Sequence, residues 1–162
     1  TNAHKIYFST LSLPQKFTAE GFFRLNSVSG GNAQLLSNLG SGAGNFTVRF
    51  FDTTNVIDFI VDGVLRKTGI TVTANEWFYV SVSYDYANWY FHSGLVSTGI
   101  ATLAGGSAFA QASNAMDAGF YVGGVTSGGT LKGFFSQVRV TGGVAMNTNS
   151  AIVIPQAPFA TA

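Results

Sequence analysis

The chain has 162 residues, 46% hydrophobic and 14% aromatic, enough for one domain with a two-layer core and no need of metal or disulfide staples. Only 9% of residues are charged and the net charge is +1, against roughly 25% charged residues in an average soluble domain, so neither nucleic-acid phosphates nor an anionic membrane finds a basic stripe to bind. The absence of cysteine excludes disulfide frameworks, thiolate metal sites and cysteine nucleophiles, and no run approaches the roughly 18 apolar residues of a membrane span.

Alternation with a period of two runs through most of the chain. From Phe17 to Leu25, the residues Phe17, Ala19, Phe23 and Leu25 fall on one face and Thr18, Glu20 and Arg24 on the other. A short run from Ala33 to Leu36 follows, then a glycine-rich hairpin loop over Gly40 to Gly44. Asn45 to Phe50 is a further strand with Phe46, Val48 and Phe50 on one side. The runs Ile57 to Val61 and Val64 to Lys67 are joined by Asp62-Gly63, which suits a tight hairpin because both central residues of its turn take positive φ. Between Trp77 and Tyr84 the inward set is Phe78, Val80, Val82 and Tyr84, with Trp77, Tyr79, Ser81 and Ser83 opposite. A turn over Asp85 to Asn88 leads back through Trp89-Tyr90-Phe91-His92, and Gly94 to Gly119 shows no clear periodicity. Phe120 to Gly123 and Gly133 to Val140 supply closing strands. Residues 147–162, with Pro155 and Pro158, read as an extended tail that needs a surface to lie on.

About ten to twelve short strands with no helical period predict an all-β fold, a two-sheet antiparallel β-sandwich of the jelly-roll kind. The expected domain is 1–146 and the expected tail 147–162. The expected core is Phe17, Phe23, Phe46, Val48, Phe50, Phe59, Phe78, Val80, Val82, Val122 and Val138. The chain opens on Thr1, so a processed product or a piece of a longer protein is expected.

Three motifs, in order, carry a resemblance. Phe17-Thr18-Ala19-Glu20-Gly21-Phe22-Phe23 is similar to an opening strand, Glu76 to Asp85 to a central strand, and Phe120-Tyr121-Val122-Gly123-Gly124 with Gly133 to Val140 to the closing strands of the concanavalin A-like lectin/glucanase superfamily, in its laminin-G-like branch. Val138 to Val144 and Pro155 to Phe159 further resemble the ends of such domains in tailed-bacteriophage virion proteins. Ser136-Gln137 and Ala145-Met146 depart from the Asp-Glu and Arg-Tyr of those relatives, which puts any binding role of the acidic pair in doubt. The resemblance implies a non-enzymatic virion structural protein, on a head decoration or a tail or fibre appendage, that folds in the host cytoplasm, works on the extracellular particle and attaches to host surface glycans. The alternative is a carbohydrate-binding module or adhesin domain of a larger secreted or cell-surface protein, and a glycoside hydrolase is the third reading. Expected partners are other virion subunits, or the chain itself as a homo-oligomer, and cell-surface carbohydrate. Nucleic acid and membrane insertion are not expected.

Retaining glycoside cleavage needs two carboxyl groups about 5 Å apart, yet Glu20, Asp52, Asp58, Asp62, Glu76, Asp85 and Asp117 are scattered in sequence, and His4 and His92 make no evident triad. No enzymatic activity is therefore expected. Relatives often hold calcium at a sandwich edge, which the resemblance carries to Asp85 and Asn88, with Asp52 and Asn55 as further oxygen donors. Six to eight ligands are needed and no string of carboxylates supplies them, so turn caps are the competing reading. Glycan binding would use aromatic faces to stack on sugar rings and amides to hold hydroxyls. Trp77, Tyr79, Tyr86, Asn88, Trp89 and Tyr90 are the candidates, with core packing as the competing role for each.

Overall fold

The computed structural model describes residues 6–9, 15–27, 32–38, 45–110, 119–124 and 132–156. The Gly40 to Gly44 loop, His4, Asp117, and the tail beyond Gln156 lie outside them. Among the described residues there are thirteen strands: β1 (Ile6–Phe8), β2 (Lys16–Leu25), β3 (Ala33–Ser37), β4 (Phe46–Phe51), β5 (Val56–Val61), β6 (Val64–Thr71), β7 (Trp77–Asp85), β8 (Asn88–Leu95), β9 (Ile100–Leu103), β10 (Phe109–Ala110), β11 (Phe120–Val122), β12 (Gly133–Gly142) and β13 (Ala151–Val153). Two short 3-10 turns, Val96–Thr98 and Ala104–Gly106, flank β9.

The strands form two antiparallel sheets. The first has the order β1-β11-β3-β4-β5-β6; the second runs β12-β2-β7-β8-β9-β13, with β10 also paired to β8. This is the expected jelly-roll sandwich, and the previously unassigned Gly94 to Gly119 stretch supplies β9 and β10. Asp62 (φ 53°) and Gly63 (φ 75°) make the expected tight turn between β5 and β6.

Every expected core residue from Phe17 to Val122 is fully buried between the sheets, and Val138 is half-buried against them. The centre is aromatic. The Trp89 indole lies 5.7 Å from the Phe46 ring, 5.6 Å from Phe59, 5.9 Å from Phe17 and 4.6 Å from Tyr84. Gly94 lets β9 approach β8, since a Cβ there would stand 2.2 Å from the Ile100 carbonyl oxygen.

The described part of the tail lies on a surface of the protein itself. Residues 144–154 are stitched onto the outer face of the second sheet and do not leave it as a separate coil. Met146 N–H donates to Thr18 Oγ1 (2.8 Å), the Asn147 amide to Ser81 Oγ (2.7 Å), and Ile154 N–H to the Gly99 carbonyl (2.9 Å). β13 adds to β9 in register Ala151↔Thr102 to Val153↔Ile100, and Ile154 is buried with Tyr79 and Ala101 in a second small core. The unmet hydrogen bonds of an edge strand and the apolar Tyr79 give this segment its surface. The 146/147 boundary therefore falls inside the folded unit.

Candidate functional site

The outer face of the second sheet is laid out by cross-strand register. One row reads Phe134–Arg24–Trp77, the next Ser136–Phe22–Tyr79, and a third Arg139–Glu20–Ser81–His92. Alternation along β2, β7 and β12 sends all of these away from the core. A bulge between Ser136 and Arg139 puts Gln137 at φ 50°, and Gly21 opposite makes room for the displaced Val138, whose Cγ2 would be 2.9 Å from a Cβ there. Bulges re-aim side chains in this way at sheet rims.

Between these rows and the returning tail lies a cavity of about 230 Å3 lined by Phe22, Trp77, Val96, Ser136, Gln137, Pro155 and Gln156. Its walls are two half-buried aromatic rings, aliphatic carbons, two primary amides and a hydroxyl, with no charge among them. The Gln156 amide is turned by a 2.9 Å bond to the Ile154 carbonyl. Such a lining can stack on the C–H face of a sugar and exchange hydrogen bonds with its hydroxyls. Of its polar groups, Gln137 and Gln156 were not singled out from sequence, because only the bulge and the folded-back tail bring them beside Trp77.

Below the tail sits a buried polar cluster. Glu20 accepts from Arg139 Nε (2.8 Å), from the Tyr79 hydroxyl and from the Asn147 amide (3.3 Å). Burial foremost, and then the charge and hydrogen bond of Glu20, push the Tyr79 phenol far above its ordinary pKa. His92 donates from Nε2 to the Asn149 carbonyl (2.6 Å), and burial holds its imidazole below the usual histidine range. These groups are occupied in holding the tail.

The remaining candidates do not gather at the Trp77 cleft. Tyr79 (1% exposed) and Trp89 (0%) are buried and present no face to a ligand. For Tyr79 the reason is the covering tail; for Trp89 it is the phase of β8, which points Trp89 and Phe91 inward. Tyr86 lies in the turn after β7, and Asn88 and Tyr90 at the start of β8, toward the far end of β7 from Trp77, a strand about 26 Å long. There Asp85 accepts from Ala87 N–H (3.1 Å), Asn88 N–H (2.8 Å) and the Tyr90 hydroxyl (2.8 Å). Burial raises the Asp85 carboxyl, but these hydrogen bonds outweigh it and hold the group below its ordinary value. Both oxygens thus cap the turn, while Asp52 and Asn55 lie in the β4–β5 turn of the other sheet. Among the described residues no three His, Cys, Asp or Glu cluster as a metal site.

No protein-family model matches the sequence, and no curated protein gives a significant match. Solved structures do match. Domains LG4-5 of the mouse laminin alpha1 chain align over 93% of this chain and 43% of that one, at 10% identity and a TM-score of 0.60. The enzymatically active domain of tailspike protein 2 from bacteriophage CBA120 aligns over 86% of this chain and 24% of that one, at 13% identity and a TM-score of 0.62. The fold is the concanavalin A-like jelly roll. A native heptameric SAP-like pentraxin from Limulus polyphemus shares it over 84% of this chain and 68% of the pentraxin, at 12% identity and a TM-score of 0.54. This jelly roll spans less than half of the laminin structure and about a quarter of the tailspike one.

Proposed function

We propose that this chain is a non-catalytic, glycan-binding jelly-roll module of a bacteriophage virion protein, carried on a head decoration or tail appendage. The observation that carries the binding role is the Trp77–Phe22 cleft, in which two aromatic rings are flanked by Ser136, Gln137 and Gln156. A pyranose has one apolar face and a rim of hydroxyls, and the cleft offers a counterpart to each. The virion setting is supported by the resemblance of Val138 to Val144 and Pro155 to Phe159 to phage proteins and by the fold shared with the CBA120 tailspike.

The placement of the acids supports binding without chemistry. Glu20 and Asp58, the two buried acids among the described residues, point from the outer faces of different sheets, and each is engaged by its own arginine, Arg139 and Arg49. A glycosidase pair must converge on one bond. The experiment is a glycan array followed by calorimetry on the best oligosaccharide, comparing the natural chain with Trp77→Ala. Removing one stacking face is expected to weaken binding about tenfold or more. A chain that binds no oligosaccharide, or a variant that binds as well as the original, would overturn the proposal.

A further inference from the structure

Arg24 stands beside the cleft in an arrangement the binding reading has not used. Its guanidinium lies 4.7 Å from the Phe134 ring centroid and 5.5 Å from that of Trp77, in the row Phe134–Arg24–Trp77. Two rings in this position hold the cation between them and leave its terminal N–H groups for another group. Among the described residues no such group is present. The ion pairs among the described residues are Arg49–Asp58 and Arg139–Glu20, and Arg24 Nε is buried with no hydrogen-bond partner. The nearest acid in sequence to Trp77, Glu76, is turned toward the hydroxyls of Thr73 (2.7 Å) and Ser97 (3.1 Å).

A half-buried cation without an anion is costly, and in a chain with only 9% charged residues it is conspicuous. We infer that the Trp77 cleft recognises an acidic saccharide: the sugar ring stacks in the cleft and its carboxylate is gripped by the guanidinium of Arg24. This rests on the reading of the cleft as a glycan site. Planar guanidinium and planar carboxylate form two parallel hydrogen bonds, and the rings beside Arg24 keep the pair partly out of water, where it gains strength.

The test compares each acidic oligosaccharide with its methyl ester, which removes the charge and keeps the shape. Oligogalacturonate and sialyllactose serve as probes, titrated by calorimetry at low and high salt. The acid is expected to bind about tenfold tighter than its ester, with the difference shrinking as salt rises. Arg24→Gln is expected to abolish that preference while leaving ester binding in place, with Arg24→Lys intermediate because a lysine cannot form the paired bonds. Equal binding of acid and ester by the natural chain, or a preference that survives in Arg24→Gln, would overturn the assignment while the glycan reading stands. Binding of sulfated but not carboxylated sugars overturns the carboxylate as the group recognised. If neither acid, ester nor neutral sugar binds, both fall together. The acid-against-ester comparison needs only the natural chain, so the test holds even where a variant fails to fold.

Discussion

His92 shows how a single side chain ties the fold to its surroundings. Its Nε2–H donates to the Asn149 carbonyl at 2.6 Å, while Nδ1 is buried without a partner. Protonating Nδ1 would create a buried donor with nothing to receive it, which is why burial lowers this imidazole below the ordinary 6.5. Between the depressed folded value and 6.5 the unfolded chain binds more protons than the folded one, so stability rises with pH in that window. We expect the urea midpoint to be level above neutrality and to fall as pH drops through 6.5 toward the folded value, and His92→Gln to remove that part of the slope. A midpoint with the same pH profile in both proteins would refute this role. Trp89 carries a related lesson. It was a candidate for sugar stacking, but its place among Phe17, Phe46, Phe59 and Tyr84 makes it a core residue, and in the run Trp89-Tyr90-Phe91-His92 periodicity alone does not say which of the two sets faces in.

Among the elements, the returning segment 144–156 has the most consequence. It adds β13 to the sheet, buries Ile154 against Tyr79 and Ala101, and brings Asn147 onto Glu20 and Ser81. Without it the acid Glu20 and the hydroxyls of Thr18, Ser81 and Ser83 would meet water, and the Trp77 cleft would lose the wall formed by Pro155 and Gln156. A chain ending at Gly143 is expected to melt well below the full chain and to lose hydrogen-exchange protection at β7 and β9. Unchanged melting would mean that the segment merely rests on the sheet. The strands themselves were largely legible, because period-two alternation and the Asp62-Gly63 pair are local properties of the chain. The bulge at Gln137 was not, since only pairing with β2 reveals the extra residue.

For the molecule as a whole, the surface that remains after both cores are closed has few charges and several apolar groups at its edges. β1 is the edge strand of the first sheet, paired on one side with β11, and its three residues, Ile6, Tyr7 and Phe8, are 42%, 47% and 45% exposed, while Val153 on β13 is 77% exposed. Edge strands in isolated proteins are commonly blunted by charge or proline, and neither is found within these two. Together with the mouth of about 480 Å3 between β1 and β12, this supports burial against other subunits. Light scattering across a dilution series is expected to give a mass above the 17.0 kDa of one chain, lowered by Tyr7→Lys. A monomer at every concentration would count against assembly through these edges.

The sequence by itself determined the all-β class, the phase of most strands, the aromatic core and the candidacy of Trp77, because each follows from neighbours along the chain: alternation, a turn dipeptide, a scarcity of charge. It could not determine which outward residues stay exposed. Tyr79 and Trp77 have the same outward phase on β7, yet the tail buries one and leaves the other lining a cleft. Nor could it bring Gln137 and Gln156 to Trp77, or show that Arg24 has two rings and, among the described residues, no anion beside it. Those are relations between residues 53 to 110 positions apart, and only the closing of the sheets and the return of the chain across them decide such distances.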